Sequence, residues 1–248
     1  MGIPYYYVQG DDMHTFLYSI ILLFAIPHIT IASEKLVFTG IKGAVNSDIG
    51  MDVLTKAYSQ LGIKILYRPL PGERALRVAN SGKVDGEVFR IANVQKRYKN
   101  LIQVPTQINI LPAIAYTKGK KININGWHSL KSYRIGIQVG IKFAERGTKG
   151  MNPTRVDTNE QLFKMLDSGR IDLAIAAQSN GLKTLKKLNT KQISGLTPAI
   201  EEYPLYHYLH KKNAHLINKL NAVLIKMTRQ GEIKAIRENH LKKFSRDK

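Results

Sequence analysis

Ser81-Gly82-Lys83-Val84-Asp85-Gly86-Glu87-Val88-Phe89-Arg90 has a shorter echo far along the chain, Ser168-Gly169-Arg170-Ile171-Asp172-Leu173-Ala174-Ile175. The shared pattern is Ser-Gly-basic-β-branched-Asp, and each copy stands where helical spacing gives way to strand character. A glycine just past a helix end takes the left-handed conformation cheaply, and a cation there complements the negative end of the helix dipole. Gly82 with Lys83, and Gly169 with Arg170, therefore read as helix ends, and Val84 and Ile171 open the strands that follow. One such joint is an ordinary turn. The same joint in both halves predicts two α/β lobes of like construction and makes the space between them the first place to look for a site.

Working outward, Leu36 to Ile41 reads as a buried strand followed by a polar, glycine-containing loop through Asn46, Ser47 and Asp48. Met51, Val53, Leu54, Ala57, Tyr58 and Leu61 recur at helical spacing, and Gly62 closes that helix. Ile63 to Tyr67 is a second strand, and a short helix from Glu73 to Asn80 leads into the first joint. After the strand from Gly86 to Ile91, the basic run Asn93 to Asn100 reads as helical, and Leu101 to Val104 and Ile108 to Thr117 read as strands. The second of these is the predicted crossing between lobes. Trp127 and Leu130 fall on a short helix before the strand Arg134 to Gly140, with Trp127 read as core or a local lid. Asn159 to Leu166 is a helix, Ile171 to Ala176 a buried parallel strand, and Gly181 to Leu188 a basic helix. The alternating stretch Leu205 to His210 is the predicted return crossing, followed by amphipathic helices marked by Leu216 to Met227 and Ile233 to Leu241. Two crossings make the first lobe discontinuous: residues 33–117 and 198–248, with the second lobe at 118–197.

The 248 residues suffice for a sizeable core. Thirty-eight Lys and Arg against 18 Asp and Glu leave a net charge of +20, which invites a nucleic-acid reading. The basic residues are spread over the chain and lie among apolar helix positions near its end, as solvated helix faces do, and no nucleic-acid-binding motif accompanies them. No nucleic acid is expected, and an anionic small ligand fits better than a polymer. Cysteine is absent, which removes disulfides, thiol catalysis and thiolate metal sites. His207, His210, His215 and His240 lack compact ligand spacing, so no metal and no cofactor is expected.

Residues 16–26 form an apolar run of secretory length, and Thr30-Ile31-Ala32-Ser33 offers small residues for cleavage after Ala32 or Ser33. Asp11 and Asp12 precede the run where cations are usual, which makes Met13 a candidate start. The expectation is a signal peptide at 1–32, a periplasmic mature protein and a monomer.

With these residues placed, the stretch from Lys35 to Phe244 resembles the family 3 extracellular solute-binding proteins, the type II periplasmic-binding fold of amino-acid uptake systems. Gly82-Lys83-Val84-Asp85 followed by Arg97, the strand Ile135-Gly136-Ile137-Gln138-Val139-Gly140, the joint Gly169-Arg170-Ile171-Asp172 and Gly231-Glu232-Ile233-Lys234-Ala235-Ile236 carry the resemblance by order and spacing. It implies a two-lobed α/β fold with a cleft between the lobes. The expected function is capture of a small anionic or zwitterionic, amino-acid-like solute, by hinge closure, for the membrane permease of an ABC-type transporter. The resemblance also implies differences in ligand. The carboxylate that α-amino-acid-binding members place after the second joint falls at Ala177, followed by Gln178, and Glu87 and Arg90 stand where apolar and small residues are usual.

A solute carboxylate taken out of water needs a charge-assisted partner, which arginine's planar fork supplies. Arg97 is the candidate by register, with Arg90 and Arg74 as rivals; each also reads as a surface or ion-paired residue, Arg90 with Glu87 or Asp85. Strict alternation along the strand puts Glu87, Phe89 and Ile91 on one face and Val88 and Arg90 on the other. Gly140, before a helix start near Lys142, could present backbone N–H groups to an anion, and Tyr206 on the return crossing could line the cleft. Asp85 and Asp172 read as structural residues of the joints. No enzyme is expected; the alternatives are a dehydratase-type enzyme using Glu87, or a sensor acting on a membrane signalling partner.

Overall fold

The computed structural model describes residues 1–2 and 35–244. The apolar run at 16–26, Met13 and the expected cleavage positions lie outside the described residues.

The first segment alternates β1 (Lys35–Ile41), α1 (Val45–Ser59), β2 (Lys64–Leu70), α2 (Gly72–Asn80) and β3 (Gly86–Ile91). β1 pairs in parallel with β2 and β3, which places α1 and α2 on opposite faces of one sheet. A single long strand, β4 (Leu101–Lys118), then leaves this lobe for the next. There β5 (Ile135–Gln138), α3 (Lys142–Gly147), β6 (Thr154–Val156), α4 (Asn159–Asp167), β7 (Leu173–Ala177), α5 (Gln178–Leu188) and the short β8 (Ile193–Gly195) repeat the alternation. β9 (Glu201–His210) runs back, and α6 (Ile217–Arg229) and α7 (Glu232–Lys242) follow it. The strand order is β2-β1-β3-β9-β4-β7-β5-β6, with β8 on β4. Antiparallel β4 and β9 thus form the ribbon that joins the lobes, paired from Leu101 opposite His210 to Ala113 opposite Glu201.

Each lobe buries apolar side chains on both faces of its sheet. In the first, Phe38, Val53, Leu54, Val88, Leu205, Leu220 and Leu224 pack under α1 and α6, and Leu76, Ala79, Tyr98 and Tyr208 under α2. In the second, Tyr116, Leu162, Phe163 and Leu185 pack under α4 and α5, and Ile137, Phe143 and Ile175 on the other side. The start of α4 carries a capping box: Thr158 accepts from the Gln161 backbone while the Gln161 side chain accepts from the Thr158 N–H.

The two joints are built alike. Gly82 and Gly169 have φ of 75° and 71°, the left-handed position past α2 and α4. Asp85 Oδ2 accepts the Val37 N–H at 2.7 Å, and Asp172 Oδ2 accepts the Arg134 N–H at 3.0 Å. In return, the Asp85 and Asp172 N–H groups donate to the Val37 and Arg134 carbonyls, both at 2.8 Å. Each aspartate thus ties the strand after the joint to the start of the parallel strand beside it. Cations complete the arrangement: Lys212 lies 2.9 Å from Asp85, and Lys120 and Arg134 lie 2.5 and 2.9 Å from Asp172. The Arg134 and Lys120 hydrogen bonds hold the Asp172 carboxyl well below the usual range. Burial works to raise Asp85, but the Val37 N–H, Lys212 and Asn213 outweigh it and hold that carboxyl low as well. Asp172→Asn is expected to cost about 1.5–3 kcal/mol at pH 7, the value of hydrogen bonds to a charged group. Because a lowered carboxyl stabilises above its unfolded value and loses that contribution as pH falls, the deficit should shrink in urea melts taken well below pH 4.

Two expectations differ from the fold. The run Asn93 to Asn100 is no α-helix but a 3-10 turn at Val94–Lys96, because Asn93 takes a left-handed φ of 72° and Tyr98 turns into the core. The two strands expected between Leu101 and Thr117 are one, and register shifts between Gln103 and Asn109 absorb the polar stretch that breaks the pattern.

Candidate functional site

β3 ends at the edge of the first lobe with one residue too many for its ladder. Glu87 pairs with Tyr208 and Arg90 with Tyr206, so three steps on β3 match two on β9. This bulge reverses the alternation beyond it. Val88 and Phe89 both face the core under α1, while Glu87 and Arg90 share the α2 side and meet at 2.6 Å. Glu87 is fully buried; Thr39 Oγ1 donates to its Oε2 at 2.5 Å, and Arg90 also donates to the Gly72 carbonyl at 2.7 Å. Burial raises the Glu87 carboxyl, while Arg90 and Thr39 pull it back.

Beside this cluster a cavity of about 440 Å³ opens. Ile91 and Ala92 from the end of β3 line one side, and Glu201, Tyr203 and Pro204 from the start of β9 line its base. Trp127, from a 3-10 turn at Trp127–Leu130, and Arg146 and Gly147 at the end of α3 line the side belonging to the second lobe. Glu201 Oε2 accepts from the Trp127 indole Nε1–H at 2.7 Å and from the Tyr203 hydroxyl at 2.5 Å. Burial and the Glu201 charge push the Tyr203 phenol far up, and the Arg146 charge acts on it in the opposite sense. Phe143 supports the Tyr203 ring with centroids 5.6 Å apart. The indole lies flat enough on α3 that a Cβ at Gly147 would come within 2.2 Å of its ring atoms, so glycine there sets where Trp127 stands.

Of the residues singled out in the sequence, none of Arg97, Arg90, Arg74, Glu87, Gly140 and Tyr206 is among those that line this cavity. Arg90 immediately precedes its lining and is tied to Glu87 and Gly72. Arg97 caps the 3-10 turn, is 76% exposed, and pairs with Glu73 at the start of α2 at 3.1 Å. Arg74 is on the exposed side of α2. The Gly140 N–H donates to Glu145 Oε1 at 2.8 Å, so the chain's own acid occupies it. Tyr206 packs against the cluster under α2. Ala177 is buried, and Gln178 accepts from Arg237 at 2.8 Å. Trp127 was legible as notable by being the sole tryptophan; Arg146, Glu201 and Tyr203 carried no motif, and only their place before the return crossing could have marked the latter two. Among the described residues no cluster of metal-ligating side chains occurs, and no helix is long and apolar enough to cross a membrane.

Two α/β lobes joined by a crossing ribbon, with a lined cavity at the crossing, define the architecture of a two-lobed binding protein. Residues 49–243 match the model of the bacterial extracellular solute-binding proteins, family 3, and the chain belongs to that family. An uncharacterized protein of Shewanella oneidensis is 30% identical over 174 residues, 66% of this chain; the match spans about 65% of that relative's length. Among solved structures, an amino acid ABC transporter substrate-binding protein, AbpA of Streptococcus pneumoniae, bound to L-arginine, superposes with a TM-score of 0.63. It is 18% identical, with 86% of this chain and 97% of that one covered. A histidine kinase sensor domain with similarity to periplasmic binding proteins gives 0.63 at 16% identity, with 84% and 95% covered. At such identities these likenesses establish the fold.

Proposed function

We propose that the protein captures a small amino-acid-like solute, anionic or zwitterionic, by closing its lobes about the β4–β9 ribbon, and delivers it to the permease of an ABC-type transporter. The observation that carries this reading is the cavity itself: its walls come from both lobes and its base from a crossing strand, so a bound solute would bridge parts that move relative to each other. Closure would expel water and strengthen every charged contact inside. The lobe boundaries belong to the same proposal, residues 33–117 and 198–248 for the first and 118–197 for the second, as do monomeric state, export of the chain by residues 1–32 and a periplasmic location. Of the three arginines singled out in the sequence, Arg90 adjoins the cavity lining at Ile91, and its buried Nε–H has no hydrogen-bond partner among the described residues. Arg97, Arg74, Glu87 beside Arg90, Gly140 and Tyr206 complete the proposed set. Binding without catalysis fits a site in which Glu87, the buried acid, is already held by Arg90 and Thr39.

A thermal-shift screen of residues 33–248 against amino acids, organic acids, amines and short peptides tests the reading. A ligand at about 100 times its dissociation constant adds about 2.7 kcal/mol, which for this size should raise the melting temperature by roughly 5–10 °C. Hits confined to one chemical class support solute capture; a flat screen, repeated after unfolding and refolding to strip any retained ligand, would remove it. The likeness to a sensor domain favours one second reading, that the loaded form acts on a membrane signalling partner. Deleting the gene and measuring uptake of the identified solute separates the two, because only a transport receptor's loss abolishes uptake.

A further inference from the structure

The cavity is lined by an acid held in place, Glu201, and by an exposed cation, Arg146. Glu201 is held by two donors, the Trp127 indole and the Tyr203 phenol, and both use the same oxygen, Oε2. Glu201 lines the cavity, and both of these bonds fall on one of its two oxygens. Neither donor is charged, and among the described residues no cation forms an ion pair with Glu201, so its position is set without a counter-ion. Around it stand the two rings that fix it, with Ile91 and Pro204 as further apolar surface. A carboxylate set beside two aromatic side chains that also line the cavity suits an organic ammonium carrying an aromatic group, the charge holding the nitrogen and the rings offering apolar surface. Arg146, exposed on the end of α3, supplies the opposite charge at the same cavity. Arg90 is committed to Glu87 and Gly72 through its NH2, which leaves Arg146 as the less encumbered guanidinium for a solute anion.

We propose that Glu201 is the specificity-determining residue of the cavity, docking the cationic nitrogen of an aromatic zwitterion whose ring lies against Trp127 and Tyr203 and whose anionic end meets Arg146. This rests on the solute-capture reading and adds to it the polarity of the bound molecule. A pure cation suffers the repulsion of Arg146, and a pure anion that of Glu201. A zwitterion of the right sense suffers neither.

Three probes isolate the charges: tyrosine, tyramine, which lacks the carboxylate, and 4-hydroxyphenylpropionate, which lacks the ammonium. Calorimetric titration is expected to rank tyrosine tightest. Glu201→Gln should weaken tyrosine and tyramine at least tenfold, and leave the acid unchanged or tighter. Arg146→Gln should weaken tyrosine and tighten tyramine, a change of opposite sign that loss of packing cannot produce. Gln at 201 still offers an oxygen to Trp127 and Tyr203, and unchanged melting temperatures of the unliganded variants verify that the fold is intact. Unaltered tyrosine affinity in Glu201→Gln, or tightest binding of the acid, overturns the proposal while leaving solute capture standing. Absence of binding by all three probes overturns the aromatic zwitterion, and the wider thermal-shift screen then decides on capture itself.

Discussion

Arg90→Ala is expected to destabilise the protein by about 3–5 kcal/mol at pH 7, the cost of leaving a buried charge without its partner. Glu87 has no exposed surface, and after the substitution only Thr39 Oγ1 would remain on its carboxylate. The Gly72 carbonyl at the start of α2 would also lose its donor. The deficit should fall as pH is lowered from 7 towards 5, because a carboxyl already raised by burial takes up a proton more readily once its cation is gone. Urea melts of parent and variant across that range measure both effects. Arg90→Lys keeps a charge without the planar fork and should fall between the two. If Arg90→Ala melts like the parent, the pair is no structural element, and an arginine held mainly for solute gains weight.

The second large effect lies in the pH dependence of the parent protein. His207 on β9 is fully buried, donates from Nδ1 to the Glu87 carbonyl at 2.8 Å, and accepts at Nε2 from the Tyr58 hydroxyl at 3.0 Å. Both bonds suit the neutral ring, which also meets Phe38 edge-on with centroids 4.7 Å apart. Burial pushes its pKa down to about 4, against an ordinary value of 6.5. Between those values the unfolded chain binds a proton that the folded protein refuses, so stability falls as pH drops from about 6.5 to 4. The loss from this one group is about 3 kcal/mol, from the shift at 1.36 kcal/mol per unit. Melts between pH 7 and 4 should show it, and His207→Gln should flatten that part of the curve. Proton NMR gives a check independent of the variant: the His207 ring signal should stay in its neutral position down to about pH 4. A midpoint near 6.5 would mean the ring is hydrated in solution.

Both effects trace to the bulge in β3, which marks the limit of what was legible in the chain. Alternation placed Glu87 and Arg90 on opposite faces, as a regular strand requires. Whether a strand carries an extra residue depends on its partner, and β9 pairs with β3 from 120 positions away at the His207 and Glu87 contact. The glycines, cations and aspartates of the two joints needed no such partner to be recognised. Their recognition rests on local chemistry, a left-handed glycine past a helix and a carboxylate just before a strand, whereas the partners that give Asp85 and Asp172 their roles, Val37, Lys212 and Lys120 among them, come from distant positions.

By itself, then, the sequence determined most of the helices and strands, the two joints, the two crossings and hence the class of fold, because these rest on periodicity and short-range backbone preference, while the short β6 and the 3-10 turn after Asn93 escaped it. Only the tertiary structure decided which charges are structural and which face the cavity. It turned Arg90 inward to Glu87, occupied the Gly140 N–H with Glu145, and joined Trp127 to Glu201 across 74 positions. Contacts of that kind are set by strand register and by how closely α3 approaches the Trp127 ring at Gly147. Such proximities belong to packing in three dimensions and leave no periodic trace along the chain.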